Sequence, residues 1–188
     1  MGNFLSNIHS SYPAGDVDDA QKWRDKASDE AKRKSDAFQR SQEAWRAGRK
    51  ADAKALSNEG KQHAASMVQY NERAAAEIFA HYNPPPYGQT AAYLEQVDLH
   101  GLYVEEALKY AEKHILACRK VHRTTTVLIT GRGNRSKDGL ARIKPAIEAF
   151  LKKENLRAIA DVPNQGCVTV EIDVPNNKAG WADSCFIM

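Results

Sequence analysis

The sequence predicts an α+β protein: an N-terminal helical hairpin followed by a two-layer α/β sandwich, ordered β-α-β-α-β-β around a four-stranded sheet. Three observations predict it. Residues 16–82 are polar, alanine-rich and nearly free of Gly and Pro, with apolar positions at helical spacing. The three prolines of NPPPYGQ (83–89) then end that rhythm. From residue 94 short β-branched runs alternate with helical stripes, the pattern of helices laid over a sheet.

Residues 1–15 read as a flexible segment. In 16–82, Ala20, Trp23, Ala27, Ala31, Phe38 and Trp45 mark one helical stripe. Ala53, Leu56, Gly60, Met67, Tyr70, Ala74 and Ile78 mark a second, and Gly48 in AWRAGRK breaks the two. The small residues of this seam should let two antiparallel backbones approach closely. Trp23 and Trp45 are expected to pack inside the hairpin rather than offer stacking surfaces. Residues 83–93, with their prolines, should form an extended, semi-rigid linker. Over 94–173, LEQVDL is the first strand, and Val104, Leu108, Ala111 and Ile115 form a helical stripe. TTTVLIT (124–130) is the second strand. The loop GRGNRSKDG then leads to a helix with Pro145 near its first turn and Ile147, Phe150 and Leu151 facing inward. LRAIADV and CVTVEI, separated by PNQG, read as a hairpin. Residues 174–188 read as a flexible tail.

The sequence has no run of 18 or more apolar residues, so no membrane span is expected, and no secretory signal follows Met1. Cys118, Cys167 and Cys185 lie far apart, which argues against a disulfide framework or a structural zinc site and for the cytoplasm. The net charge of +3 is unevenly spread. Lys109 to Arg157 hold thirteen Lys or Arg against four acids, a net +9, which leaves −6 for the remainder. Such a stretch suits a polyanion, because cations that neutralise phosphates release counterions; solvated helix faces would give the same count.

Two motifs carry chemistry. VDLHG (97–101) ends a strand with Asp98, His100 and Gly101, and TGRGNRSKDG (130–139) joins a strand to a helix. In the loop, Gly131 and Gly133 should let consecutive N–H groups, Asn134 among them, form a nest for an anion. Ser136 can donate a hydrogen bond, and Arg132, Arg135 and Lys137 add charge-assisted donors. A dinucleotide fingerprint fails here. Ser136 replaces the third glycine, the loop follows the second strand, and no acid ends a strand about 20 residues on.

VDLHGLYVEEAL, ITGRGNRSKDGLARIKPAIEAFL and the NQGCVTVEI hairpin together resemble an Smr (small MutS-related) domain over about residues 94–173. AWRAGRKADAKALSNEGKQH and NERAAAEIFAHYN resemble the helical domain of unknown function that often precedes Smr in eukaryotic proteins. The resemblance implies nucleic-acid binding and, in several relatives, nicking or RNA cleavage, in some at stalled ribosomes. Relatives of that last kind carry ubiquitin-binding segments, and none is expected in this chain. Two positions depart from the family: relatives often have His where Arg135 stands and Thr, a better helix cap, where Tyr103 stands.

On this reading the ends of the first two strands lie side by side, so a phosphodiester held by the loop meets His100. Its imidazole would take a proton from a 2′-hydroxyl or water, or give one to the leaving oxygen. Asp98 would orient the ring, Arg132 and Arg135 would stabilise phosphate charge, and Lys144 would hold flanking backbone. One Asp and one His are too few for a two-metal site; no cofactor is expected, although a transient Mg²⁺ fits this scheme. His9, His63, His81, His114 and His122 show no ligand spacing and receive no role.

MGNFLS fits an N-myristoylation pattern at Gly2, and CFIM fits a prenylation box at Cys185. Two lipids would hold the chain at a membrane, whereas one binds only marginally. The sequence therefore supports an RNA endonuclease first, with DNA as a further substrate class and the ribosome as a further partner. A non-catalytic RNA- or DNA-binding adaptor, membrane-tethered or not, is the alternative. A basic patch for anionic lipid is the third reading.

Overall fold

A computed structural model describes residues 17–88, 91–134, 136 and 138–175. The chain divides into two units, the helices up to His81 and everything from Tyr82 onward. Helix α1 (Val17–Arg46) and helix α2 (Lys50–Tyr82) make the hairpin. The Arg49 N–H donates to Ala44 O (2.9 Å) and the Gly48 N–H to Trp45 O (3.0 Å), with Gly48 at φ 78°. This pair of bonds closes the end of α1 around a left-handed glycine. Ala20, Ala27, Ala37 and Ala44 of α1 and Ala53, Gly60 and Ala74 of α2 are buried. Polar rungs fix the pairing: the Trp23 Nε1–H donates to Glu77 Oε1 (2.9 Å), Arg24 reaches Asn71 Oδ1 (2.8 Å) and the Ser41 hydroxyl reaches Ala53 O (2.7 Å). Trp23 packs as expected, stacked on Tyr70 at 5.7 Å and covered by the Arg73 guanidinium. Two expectations change. Trp45 lies one position beyond the buried Ala44 and is 61% exposed. Gly60 makes room for a ring rather than a backbone, since a Cβ there would lie 3.0 Å from Phe38.

Residues 83–88 also depart from the extended spacer. They form a turn, closed by the Tyr87 N–H on Pro84 O at 3.1 Å. The cause is side-chain anchoring at both ends. Asn83 donates to Asp98 O and accepts the Asp98 N–H, both at 2.8 Å, so its amide imitates a strand neighbour. Tyr87, half-buried, packs against His114 and hydrogen-bonds its ring.

The α/β unit follows the expected order. A 3₁₀ turn (Ala91–Leu94) precedes β1 (Gln96–Asp98); then come α3 (Val104–Lys120), β2 (Thr125–Ile129), α4 (Ile143–Lys153), β3 (Leu156–Ala160) and β4 (Cys167–Pro175). The sheet order is β1-β2-β4-β3, with β1 parallel to β2 and the other pairs antiparallel. Burial alternates along the strands. Thr126, Leu128, Val168, Val170 and Ile172 are buried, whereas Val127, Ile129, Thr169 and Glu171 are only half so. Ala107, Ala111, Ile115 and Cys118 of α3 and Ile147 and Leu151 of α4 supply the other layer. Each large apolar side chain so buried contributes about 1.5–3 kcal/mol. Tyr103 caps α3 without a side-chain bond, as expected from the missing Thr, yet its N–H still donates to Glu106 Oε2 at 2.9 Å.

Candidate functional site

β1 is only three residues long, yet it ends the parallel pair at Asp98 opposite Ile129, and the Leu99 N–H extends the ladder onto Ile129 O (2.8 Å). The two strand ends therefore deliver their next residues, His100 and Gly131, to the same place. A Cβ built on Gly131 would lie 3.2 Å from His100 Cβ. Gly101, at φ 81°, turns the chain away behind the histidine.

Asp98 Oδ1 accepts twice from residue 100: from its backbone N–H at 2.9 Å and, as donor geometry requires, from Nδ1–H at 2.6 Å. With its proton on Nδ1, the imidazole presents a lone pair at Nε2. Among the described residues Nε2 has no hydrogen-bond partner, and the ring is one-third exposed while Asp98 is more buried. Tyr82 packs its ring against the imidazole, centroids 3.8 Å apart and tilted by 47°. Tyr82 and Asn83 were missed from sequence because they sat in what read as a helix end and linker. The only signal was an Asn directly before three prolines, where no helix can continue.

The GRG loop is built differently from an open nest. Thr130 and Gly131 both donate their N–H to Gly166 O, at 2.7 and 3.1 Å, which ties the loop to the turn between β3 and β4. Gly133 is required from within: at φ 80°, a Cβ would lie 2.4 Å from Ala141 N and 2.5 Å from Leu140 C. The Ser136 hydroxyl reaches Gly133 O (2.7 Å) and Leu140 O (2.9 Å), so it shapes the loop rather than facing an anion. Among the described residues the loop's exposed donors are Arg132, which has no ion pair there, and Asn134. Lys144 is engaged, its ammonium 2.5 Å from Asp161 Oδ1. Asp138 binds Arg142, whose hydrogen bond holds that carboxyl below the usual carboxylate range. Arg135, Lys137, Gly2 and Cys185 lie outside the described residues. Among the described residues no three His, Cys, Asp or Glu side chains group to hold a metal ion, and no helix is long and apolar enough to cross a membrane.

A second polar cluster lies beneath the sheet. The Tyr87 hydroxyl donates to His114 Nδ1 at 2.7 Å, and Nε2–H donates to Thr126 Oγ1 at 2.7 Å. Thr126 passes its own proton to Leu94 O at 3.0 Å. Burial first, then the charge of Arg123, lowers the His114 pKa to about 3, so the ring is neutral. Burial likewise raises the neighbouring Cys118 thiol to about 11, which leaves it inert as a nucleophile. This is a structural histidine, and no motif or spacing in the chain singles it out.

Residues 21–83 match a domain of unknown function (DUF1771), and residues 97–170 match the Smr domain. The chain is 33% identical to an Smr domain-containing protein of Schizosaccharomyces pombe over 82% of its own length and 71% of that protein's. It is 31% identical to a protein named endonuclease NBR9 of Saccharomyces cerevisiae, over 83% of this chain and 58% of that one. A solution structure of the B3BP Smr domain is 34% identical, covering 54% of this chain and 95% of that domain, with a TM-score of 0.41.

Proposed function

The chain belongs to the Smr domain family, and from that premise we propose that it is an endonuclease that cleaves RNA phosphodiesters, with His100 as base and Asp98 as the residue that sets its tautomer. What carries the reading is the Asp98–His100 pair at 2.6 Å, beside Gly131 and with Nε2 open. Nε2 accepts the proton of a 2′-hydroxyl, and that oxygen attacks the adjacent phosphorus. The bond to the 5′ oxygen breaks, and the leaving alkoxide takes a proton from water. The products are a 2′,3′-cyclic phosphate and a 5′-hydroxyl. Arg132 faces solvent at the loop and offers charge to the phosphoryl oxygens as they gain it. A relative named as an endonuclease, 31% identical, supports the same reading.

The test incubates end-labelled single-stranded RNA with the protein, in Mg²⁺ and in EDTA, beside His100→Ala. Cleavage that persists in EDTA, leaves a 5′-hydroxyl and vanishes in the variant is the expected result. RNA bound but intact with both proteins would make the chain a non-catalytic adaptor.

A further inference from the structure

The helical unit carries a surface that its own fold does not use. The hairpin closes through Ala44 and Ala53, 1% and 5% exposed, and through the Ser41 hydroxyl on Ala53 O. Trp45 is therefore not needed to seal it, yet it projects with 61% of its surface in water beside the turn at Gly48. A single exposed aromatic is ordinary on a protein surface, so what surrounds this one decides what it can do.

The surroundings of the indole are basic. Trp45 opens onto a groove of about 630 Å³, with Arg46, Lys50 and Lys54 along it and no acidic side chain among its lining residues. Lys22, Lys32, Arg33, Arg40 and Arg49 of the same hairpin each meet an acid three or four positions away. Arg46, Lys50 and Lys54 meet none among the described residues. The Lys50 ammonium lies 5.9 Å from the indole centroid, at the limit of cation–π range, so it leaves most of the ring face open.

We infer that this tip is a docking platform for single-stranded nucleic acid, on which a base stacks against Trp45 while flanking phosphates meet Arg46, Lys50 and Lys54. The three cations would suit any polyanion. The indole narrows the choice, because only a nucleic acid couples backbone charge to flat π faces at every unit. An anionic lipid headgroup or an acidic peptide supplies the charge without the stacking partner. The platform lies wholly within the helical unit and does not depend on cleavage by His100.

The experiment measures binding of a fluorescent oligouridylate to the full chain carrying His100→Ala, so that strand cleavage plays no part. Adding Trp45→Ala should weaken binding about five- to thirtyfold, whereas Trp45→Phe keeps most of the affinity. An abasic strand of the same length should bind Trp45→Ala and its parent equally, and Lys50→Gln with Lys54→Gln should weaken both strands. Circular dichroism checks that the helices persist. Should Trp45→Ala unfold, the parent still decides: oligouridylate should quench a share of its tryptophan emission that is missing in Trp45→Phe. Unchanged oligouridylate affinity in Trp45→Ala would overturn the assignment. Equal losses on oligouridylate and abasic strands would overturn it too, as would a loss confined to phosphatidylserine vesicles or polyglutamate.

Discussion

A methyl group added at Gly133 has nowhere to go, because the Ala141 nitrogen already occupies the space 2.4 Å from where it would sit. The backbone there is also left-handed, at φ 80°. Gly133→Ala is therefore expected to cost about 2 kcal/mol or more and to lower the melting temperature of the α/β unit. An unchanged melting temperature would mean that the return of residues 140–141 is not fixed. On the proposed cleavage, Asp98 offers the opposite test, with an effect on chemistry rather than on stability. Asp98→Asn keeps the size, but its side chain can donate to Nδ1 and so favour the tautomer with its proton on Nε2, the wrong one for a base. RNA cleavage should fall about a hundredfold or more with little change in melting temperature. Equal activity would remove Asp98 from the mechanism. Both residues were legible in the sequence, although the roles of Gly133 and Ser136 were not. A glycine that yields to its own chain and one that yields to a ligand look alike until residues 140–141 are in place.

At the scale of elements, α3 and β2 are joined to Tyr87 and Leu94 through His114 and Thr126. The three partners of His114 lie 27, 12 and 4 residues away, at Tyr87, Thr126 and Cys118. No spacing rule links such positions, which is why the histidine went unread, whereas the strands and helices announced themselves by period. Tyr87→Phe should cost about 1–3 kcal/mol, because Nδ1 is left buried without a donor; denaturant unfolding measures it. The acid dependence follows from the same burial. Unfolded, His114 takes a proton below about pH 6.5, but folded only near about pH 3. The unfolded state thus binds the proton first, so stability is complete above about pH 6.5 and is lost as the pH falls toward about 3. At about 1.4 kcal/mol per pH unit, about 2 kcal/mol is gone by pH 5. The stability difference between wild type and His114→Gln should shrink by that amount from pH 7 to pH 5, with the other groups cancelling. A difference that stays constant would show a ring that is not held neutral.

Across the whole molecule, the +9 stretch from Lys109 to Arg157 was legible as a count but not as a surface. Folding distributes its charges over α3, α4, the loop and β3, and sets several against acids. Arg123 meets Glu95, Arg142 meets Asp138, Lys144 meets Asp161 and Arg157 meets Glu171. Three of those acids lie outside the sequence neighbourhood of their partners, so net charge along the chain overstates what a phosphate would encounter. Surface pairs of this kind contribute little stability, but they do decide which cations are available. Nine phosphates neutralised at once would give a slope of log affinity against log salt of about −6 on single-stranded RNA. A shallower slope is expected, and individual variants say why. In the His100→Ala background, which on the proposed mechanism does not cleave, Arg132→Gln should reduce the slope by about 0.7, the share of one phosphate contact. Lys144→Gln should leave it unchanged, because the Asp161 carboxylate at 2.5 Å already holds that charge. Equal reductions in both variants would mean that the Lys144 ion pair opens on binding, so that the basic stretch acts as the single face its composition suggests.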